Sequence, residues 1–466
     1  MPGKKQITRG KTWSLVCAAG LSLLQAPGAW AQDEDTSEET DASGMAVPQA
    51  LPQPEAPASS TVQPFADDGI TLALTYTGEA AGNVTGGLRR DAAYAGQLLV
   101  GADLDMNRIA GLPGGQIHAI VVNRHGKSLS EIAIGNNTSL QETYGMQNTH
   151  LAVLTWEQKL FNGRVTIEAG RSVSNIQFLF SPIYCNFQGN SFCGNPVFAF
   201  KNSNFTGFPA SSWMARARVQ VTGEFFAHAG VYEVNPDRKT IKDHGFDFDT
   251  RHATGVYVPW ELGYEPGGAD ARLPGRYILG GWFDEGDYDD PLLDNQGGIA
   301  VLTGGDPLQR KGRSALFFRF EQQLTRPDPA SRRGLAMFGV AMANVSGRVE
   351  ESRFFSLGLV QTGTFAGRGE DTLGFAVSDQ RFSGLAMERM RAARLAAGGD
   401  GHVQRHQYMM ELNYGAQIRP GVRFSPNLQY IVNPDQTGAP FQPADSGNAF
   451  IFGFKFTVDA FGLLGG

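Results

Sequence analysis

The chain has 466 residues, among them 59 Gly and 31 Phe, and 39 Lys+Arg stand against 46 Asp+Glu for a formal net charge of −7. Length alone points to two or three domains, yet no segment, the short N-terminal apolar stretch included, has the roughly 20 apolar residues of a transmembrane helix. A mean hydropathy of −0.23 excludes a helical membrane bundle but not a membrane barrel, whose strands alternate apolar and polar residues so that their signal averages away.

The N-terminus carries Lys4, Lys5, Arg9 and Lys11, then an apolar stretch from Trp13 to Leu24, then Ala29-Trp30-Ala31. This order is that of a secretory signal peptide, with cleavage expected after Ala31. Cys17 falls inside the discarded part. Residues 32–66 open with Asp33, Glu34, Asp35, Glu38 and Glu39 and continue rich in Pro, Ala and Gln. They lack the apolar content for a core and are predicted to be a disordered periplasmic linker.

From Ile70 the apolar period becomes two, the mark of a strand with distinct faces. Strands are predicted near 70–77, 94–105, 115–123, 150–160, 164–171, 213–222, 224–233 and 252–261. Further ones fall near 275–283, 314–324, 335–343, 353–361, 372–378, 407–418, 422–432 and 450–461, which makes sixteen. The last is the clearest: Phe450, Phe452, Phe454, Phe456 and Val458 oppose Ala449, Ile451, Gly453, Lys455, Thr457 and Asp459. Likewise Tyr408, Met410, Leu412, Tyr414, Ala416 and Ile418 oppose Gln407, Met409, Glu411, Asn413, Gly415 and Gln417.

The connections carry independent information. Stretches 78–93, 124–149, 172–212, 234–251, 284–313, 379–406 and 433–449 are long, and 344–352 is a short exception in the same series. The alternate connections are short, as at Phe161-Asn162-Gly163, Thr222-Gly223 and Arg419-Pro420-Gly421. Long loops at one end and tight turns at the other are the rule for outer-membrane barrels. A soluble sandwich would rarely need so many strands and gives no reason for the loop asymmetry. No short repeat of solenoid type is present. The expected fold class is therefore all-β, a transmembrane antiparallel barrel spanning residues 67–466.

A bilayer forces a sheet to close on itself, and sixteen strands enclose a lumen wide enough for water. The aromatic face then meets lipid and the polar face lines the lumen. On that parity Arg216, Arg218, Arg319, Glu321, Glu411, Asn413, Gln417 and Lys455 are predicted to be pore-lining. Charges of both signs predict a mixed field, not a ring of one sign. The stretch 172–212 is the longest connection and holds Cys185 and Cys193, expected to form a local disulfide in an oxidising compartment. Folded inward, it would constrict the pore. Its Phe187, Phe192 and Phe198, with Trp213 at its exit, would offer stacking faces to sugars beside hydrogen-bonding side chains.

Chemistry of other kinds is missing. His402 and His406 have helical metal-ligand spacing but no acidic or cysteine partners in the sequence, so no metal is expected. Gly126-Lys127-Ser128 resembles the tail of a phosphate loop, but Val121 stands where its first glycine belongs. No Gly-x-Ser-x-Gly elbow occurs. No cofactor and no nucleic-acid partner are expected, and no enzymatic activity is predicted. The competing functions are a hydrolase built on a barrel and a plugged adhesive barrel.

Several segments resemble the carbohydrate-selective porin family of the OprB type. They include Asn123-Arg-His-Gly-Lys-Ser-Leu-Ser130, Gly170-Arg171, Phe192-Cys-Gly194 and Gly230-Val-Tyr-Glu-Val-Asn-Pro236. Leu273-Pro-Gly-Arg-Tyr-Ile-Leu-Gly-Gly-Trp282, Glu411-Leu-Asn-Tyr414 and Pro426-Asn-Leu-Gln-Tyr-Ile-Val-Asn-Pro434 follow in the same order. The likeness runs over most of residues 68–461. It implies passive diffusion of glucose-like sugars and other small hydrophilic solutes, with arginine and acidic residues at the constriction. The other expected partners are outer-membrane lipid and the barrel-assembly machinery, and both a monomer and a homotrimer are open. By this likeness Arg171 joins the pore candidates, although its parity sets it with Val165 and Ile167. Barrel proteins commonly end on an aromatic, whereas here Gly462 to Gly466 follow Phe461.

Overall fold

The computed structural model describes residues 63, 65–193, 196–267, 271–327, 331 and 333–464. The expected signal peptide and nearly all of the expected linker lie outside the described residues. Gln63, at the end of that expected linker, is held. Gln63 donates to the Leu72 carbonyl at 3.1 Å and accepts from its amide at 2.9 Å. Leu72 needs this partner because the last strand begins to pair only at Thr75.

Sixteen antiparallel strands close into one barrel. They are β1 Ile70–Thr85, β2 Ala92–Asp105, β3 Gly115–Gly126, β4 Thr149–Leu160, β5 Val165–Ser172 and β6 Ser212–Gln220. Next come β7 Phe225–Val234, β8 Gly255–Tyr264, β9 Gly275–Asp294, β10 Pro307–Gln323 and β11 Gly334–Ser346. The circuit ends with β12 Glu351–Thr362, β13 Thr372–Phe382, β14 His406–Arg419, β15 Val422–Val432 and β16 Ala449–Asp459. Each strand pairs with its chain neighbours, and β1 pairs with β16, so every ladder is satisfied and no edge remains.

The tight turns have the chemistry their geometry needs. Between β4 and β5, Phe161 and Asn162 both take φ 54° and Gly163 takes φ 79°, a left-handed run that Asn and Gly tolerate best. Two expected loops are largely strand. The stretch 78–93 is mostly the continuation of β1 and the start of β2, because Gly78, Ala80 and Gly82 put no large side chain on the outer face and hide the alternation. The stretch 284–313 is mostly a long β9–β10 hairpin, whose acidic arm is matched by a basic one: Asp284 with Arg313 (2.9 Å), Asp287 with Lys311 (3.1 Å) and Asp290 with Arg310 (2.9 Å). Residues 384–396 form a helix inside the long connection between β13 and β14, with the Ser383 hydroxyl accepting the Ala386 amide at 3.2 Å.

The two faces divide as the sequence parity requires. Phe452, Phe318, Phe355, Phe375, Leu412 and Val100 are exposed on the outside. An apolar surface running round the whole barrel exceeds what a water-soluble monomer carries and suits hydrocarbon.

Candidate functional site

Two connections fold back inside the barrel. The longer, described over residues 173–193 and 196–211, lays Phe178, Leu179, Val197, Phe198 and Phe205 against the inward side chains of β6 to β12, such as Met214, Tyr232, Tyr257, Trp282 and Phe317. Phe178 stacks on His228 with ring centroids 4.0 Å apart. Further along, Tyr184, Phe187 and Phe192 pack on Phe338, Val360 and Ala376. One side of the lumen is thus filled with apolar contacts between loop and wall.

The tip of this loop is tied by polar contacts to the opposite wall. The Glu411 carboxylate on β14 accepts the amides of Gln188 at 2.8 Å and Gly189 at 2.9 Å. Asn427 on β15 donates to Gln188 Oε1 at 2.7 Å, and Gln188 Nε2 reaches the Ala80 carbonyl of β1 at 3.3 Å. On β16, Lys455 Nζ donates to the carbonyls of Cys185 at 3.3 Å and Phe187 at 3.4 Å, and lies 3.7 Å from Glu79. Near the loop's other end, Lys201 pairs with Glu351 at 3.0 Å. Burial opposes the Lys201 charge, but Glu351 outweighs that effect and holds the ammonium above the ordinary lysine range.

The second inward loop, residues 127–148, was not expected from the sequence. Its Leu129, Ile134 and Leu140 pack against Met409, Ile431 and Ile451. Thr143 gives both its amide (3.0 Å) and its hydroxyl (2.9 Å) to the Glu79 carboxylate. The loops also meet each other, Glu142 N donating to the Gln188 carbonyl at 3.1 Å.

The remaining lumen carries matched charges. Glu157, Glu168 and Arg216 are register neighbours across β4, β5 and β6. Arg216 Nε is 2.6 Å from Glu168, and its Nη2 is 3.1 Å from Glu157. Two carboxylates facing each other across a ladder repel, and the guanidinium between them removes the conflict. Arg319 donates to Glu321 at 2.8 Å and stands 3.8 Å from Glu261. Arg124 donates to Gln97 at 2.7 Å and pairs with Glu142 at 3.4 Å. Arg218 lies over the Phe226 ring, 4.1 Å from its centroid. Solvent still reaches Asp103 (20 % exposed), Glu142 (18 %), Glu321 (14 %) and Lys455 (12 %).

The predicted residues therefore separate into groups. Arg216, Arg218, Arg319, Glu321 and Lys455 are on the inner face, engaged in the contacts above. Glu411 and Asn413 are also inward, but both are buried beneath the loop. Gln417 sits at the turn end, donating to the carbonyls of Arg419 at 2.8 Å and Val422 at 3.3 Å. Arg171 shares its face with Leu154 and Trp213, both outward-facing and exposed. It is pinned at the rim by the carbonyls of Asp247 (2.7 Å) and Ser211 (2.9 Å), which corrects its assignment to the pore. The expected stacking faces are also corrected. Phe187, Phe192 and Phe198 are wholly covered by protein, and Trp213 faces outward with its indole N–H on the Phe248 carbonyl at 3.1 Å. Cys185 and Cys193 are brought together at the loop tip, with their Sγ atoms 2.6 Å apart. Among the described residues no group of His, Cys, Asp and Glu is placed to hold a metal.

Sequence parity missed Glu157, Glu168 and Glu261, although Thr166-Ile-Glu168 carried the signal through its alternation with Val165 and Ile167. Glu79, Arg124 and Glu142 were hidden in stretches read as outer loops.

The model of the family described as "Carbohydrate-selective porin, OprB family" matches residues 89–459. Porin B of Pseudomonas aeruginosa is 28% identical over 383 residues, covering 79% of this chain and 84% of that protein. The putative porin QuiX of Acinetobacter baylyi is 27% identical over 394 residues, 80% of this chain and 86% of that one. The structure of Pseudomonas putida OprB at high pH superposes with a TM-score of 0.75 at 28% identity, covering 85% of this chain and 95% of that chain. A closed sixteen-strand barrel, a lumen narrowed by inward loops and a family match over most of the sequence place this chain in the OprB family of carbohydrate-selective porins of the outer membrane.

Proposed function

We propose that small sugars such as glucose, with other small hydrophilic solutes, diffuse passively into the periplasm past the two inward loops. The single observation that carries this reading is that the solvent-reached charges of the narrowed lumen, Asp103, Glu142, Glu321 and Lys455, have both signs. Carboxylates and basic groups lining one passage exchange hydrogen bonds with a hydroxyl rim and attract no one ion strongly. Arg216 and Arg319 hold the inner carboxylates in place, and Arg218, over the Phe226 ring, adds positive charge to the same wall. Binding at such a site stays weak enough for the solute to leave.

In this reading the chain is exported, cut after Ala31 and inserted by the barrel-assembly machinery, and it works as a monomer or homotrimer. Single-channel current in planar bilayers tests the transport claim. Glucose is expected to reduce the current reversibly, and Glu321→Gln with Lys455→Gln to weaken that block. A silent bilayer, or a current indifferent to sugar, refutes it.

A further inference from the structure

The outer wall carries a row of charge where lipid is expected. Register pairing aligns Leu316, Ala343, Arg353, Arg381 and His406 across β10 to β14. All three basic side chains lie at the loop-side ends of their strands, and parity turns them outward with Phe355 and Leu412. Arg353 and Arg381 are direct cross-strand partners. Among the described residues, neither has a carboxylate within ion-pairing distance, in contrast to Arg124, Arg216 and Arg319. The nearby carboxylate, Asp379, is held by His406 Nδ1 at 2.8 Å, and the His406 ring stacks on Tyr408.

Like charges placed directly opposite on a sheet destabilise it, and a lipid-facing arginine is tolerated only near the interface. This pair is both, and it stands at the mouth of a groove of about 510 Å³ on the same face. Ala341 and Ala343 line it between Leu316, Phe318 and Phe355, and Asp379, engaged by His406, lies on the same wall. Guanidinium forks bind phosphate oxygens two at a time, and a trough lined by small residues between aromatic rings accommodates an acyl chain.

We propose that Arg353 and Arg381 bind the phosphate of an anionic outer-leaflet lipid while one of its acyl chains lies in the Ala341–Ala343 groove. The lipid neutralises the paired arginines and anchors this side of the barrel in the outer leaflet. The proposal depends on the barrel's place in the outer membrane and not on which solute crosses it.

The test is native mass spectrometry of the detergent-solubilised protein with three probes: dioleoyl phosphatidic acid, dioleoyl phosphatidylcholine and inorganic phosphate. Phosphatidic acid is expected to bind in preference to phosphatidylcholine, and excess inorganic phosphate is expected not to displace it. The double variant R353Q/R381Q should weaken phosphatidic acid binding about thirtyfold, while R89Q/R90Q at another part of the rim leaves it unchanged. Ala341→Phe should weaken lipid binding by filling the groove. Heat-modifiable migration on gels verifies that each variant is folded. Unchanged binding in R353Q/R381Q overturns the proposal. So does displacement by inorganic phosphate, which would make this a free-anion site. A change of oligomeric state with lipid binding intact would make the face a contact between copies, and equally overturns it.

Discussion

Glu411 on the barrel wall accepts the backbone amide of Gly189 at the tip of the long inward loop, at 2.9 Å. The same carboxylate takes the Gln188 amide through its other oxygen. Hydrogen bonds to a charged acceptor contribute about 1.5–3 kcal/mol each, so this one side chain sets how firmly the tip is seated. Glu411→Ala is expected to leave the barrel folded and to free the tip from β14. Single-channel recordings should show larger and noisier current than the parent, and a trace identical to the parent would show that other contacts hold the loop.

Arg216 is the cation between two buried carboxylates. Arg216→Ala leaves Glu157 and Glu168 facing each other without compensation, a loss of about 3–5 kcal/mol for a broken buried pair. The heat-modifiability midpoint should fall, and the reversal potential in a salt gradient should move toward cation preference. Combining R216A with E168Q should recover part of both. An R216A variant with the parent's midpoint would mean that water already screens the triad.

Asp371 precedes β13 at the turn end. Burial works against its charge, but the Tyr414 hydroxyl, Arg368 (2.7 Å) and the Gln417 amide (2.9 Å) outweigh that and hold its carboxyl below the ordinary range. A carboxyl more acidic in the folded state stabilises fully above its unfolded pKa of 3.8 and loses that contribution as pH falls through the lower folded value. Unfolding midpoints measured from neutral to strongly acidic pH should therefore drop at the acid end, and Asp371→Asn should flatten that drop. A variant as acid-sensitive as the parent would place the effect elsewhere.

Cys185 and Cys193 are expected to join in the oxidising periplasm. Protein isolated without reductant should give no thiol titre, and reduction should expose both groups. C185S/C193S should fold, because the tip is also held through Glu411, Asn427 and Lys455. A full thiol titre in freshly isolated protein would refute the bridge.

The barrel was legible because its cause is local. Alternation at Phe450 to Val458 or Tyr408 to Ile418 records which side meets hydrocarbon, and no tertiary contact is needed to see it. The strand ends were less legible where the outer face is small, as at Gly78, Ala80 and Gly82, or where strands leave the membrane, as from Asp284 to Asp294. The inner face was legible as a set of positions but not as a site. Parity placed Glu411 and Asn413 correctly inward, but could not reveal that a loop would cover them. The fate of Phe187 and Phe198 depended on the aromatic residues of strands far away in sequence, and residues 127–148 entered the lumen for the same non-local reason.

The tie between the two inward loops also bears on mechanics. A hollow cylinder of strands is soft to squashing, because its hydrogen bonds resist stretching of the sheet far better than bending. A strut fastened at β1, β13, β14, β15 and β16 on one side and packed on β6 to β12 on the other cannot shorten without breaking contacts at both ends. The aperture of such a tube is governed by its internal brace more than by the bilayer around it.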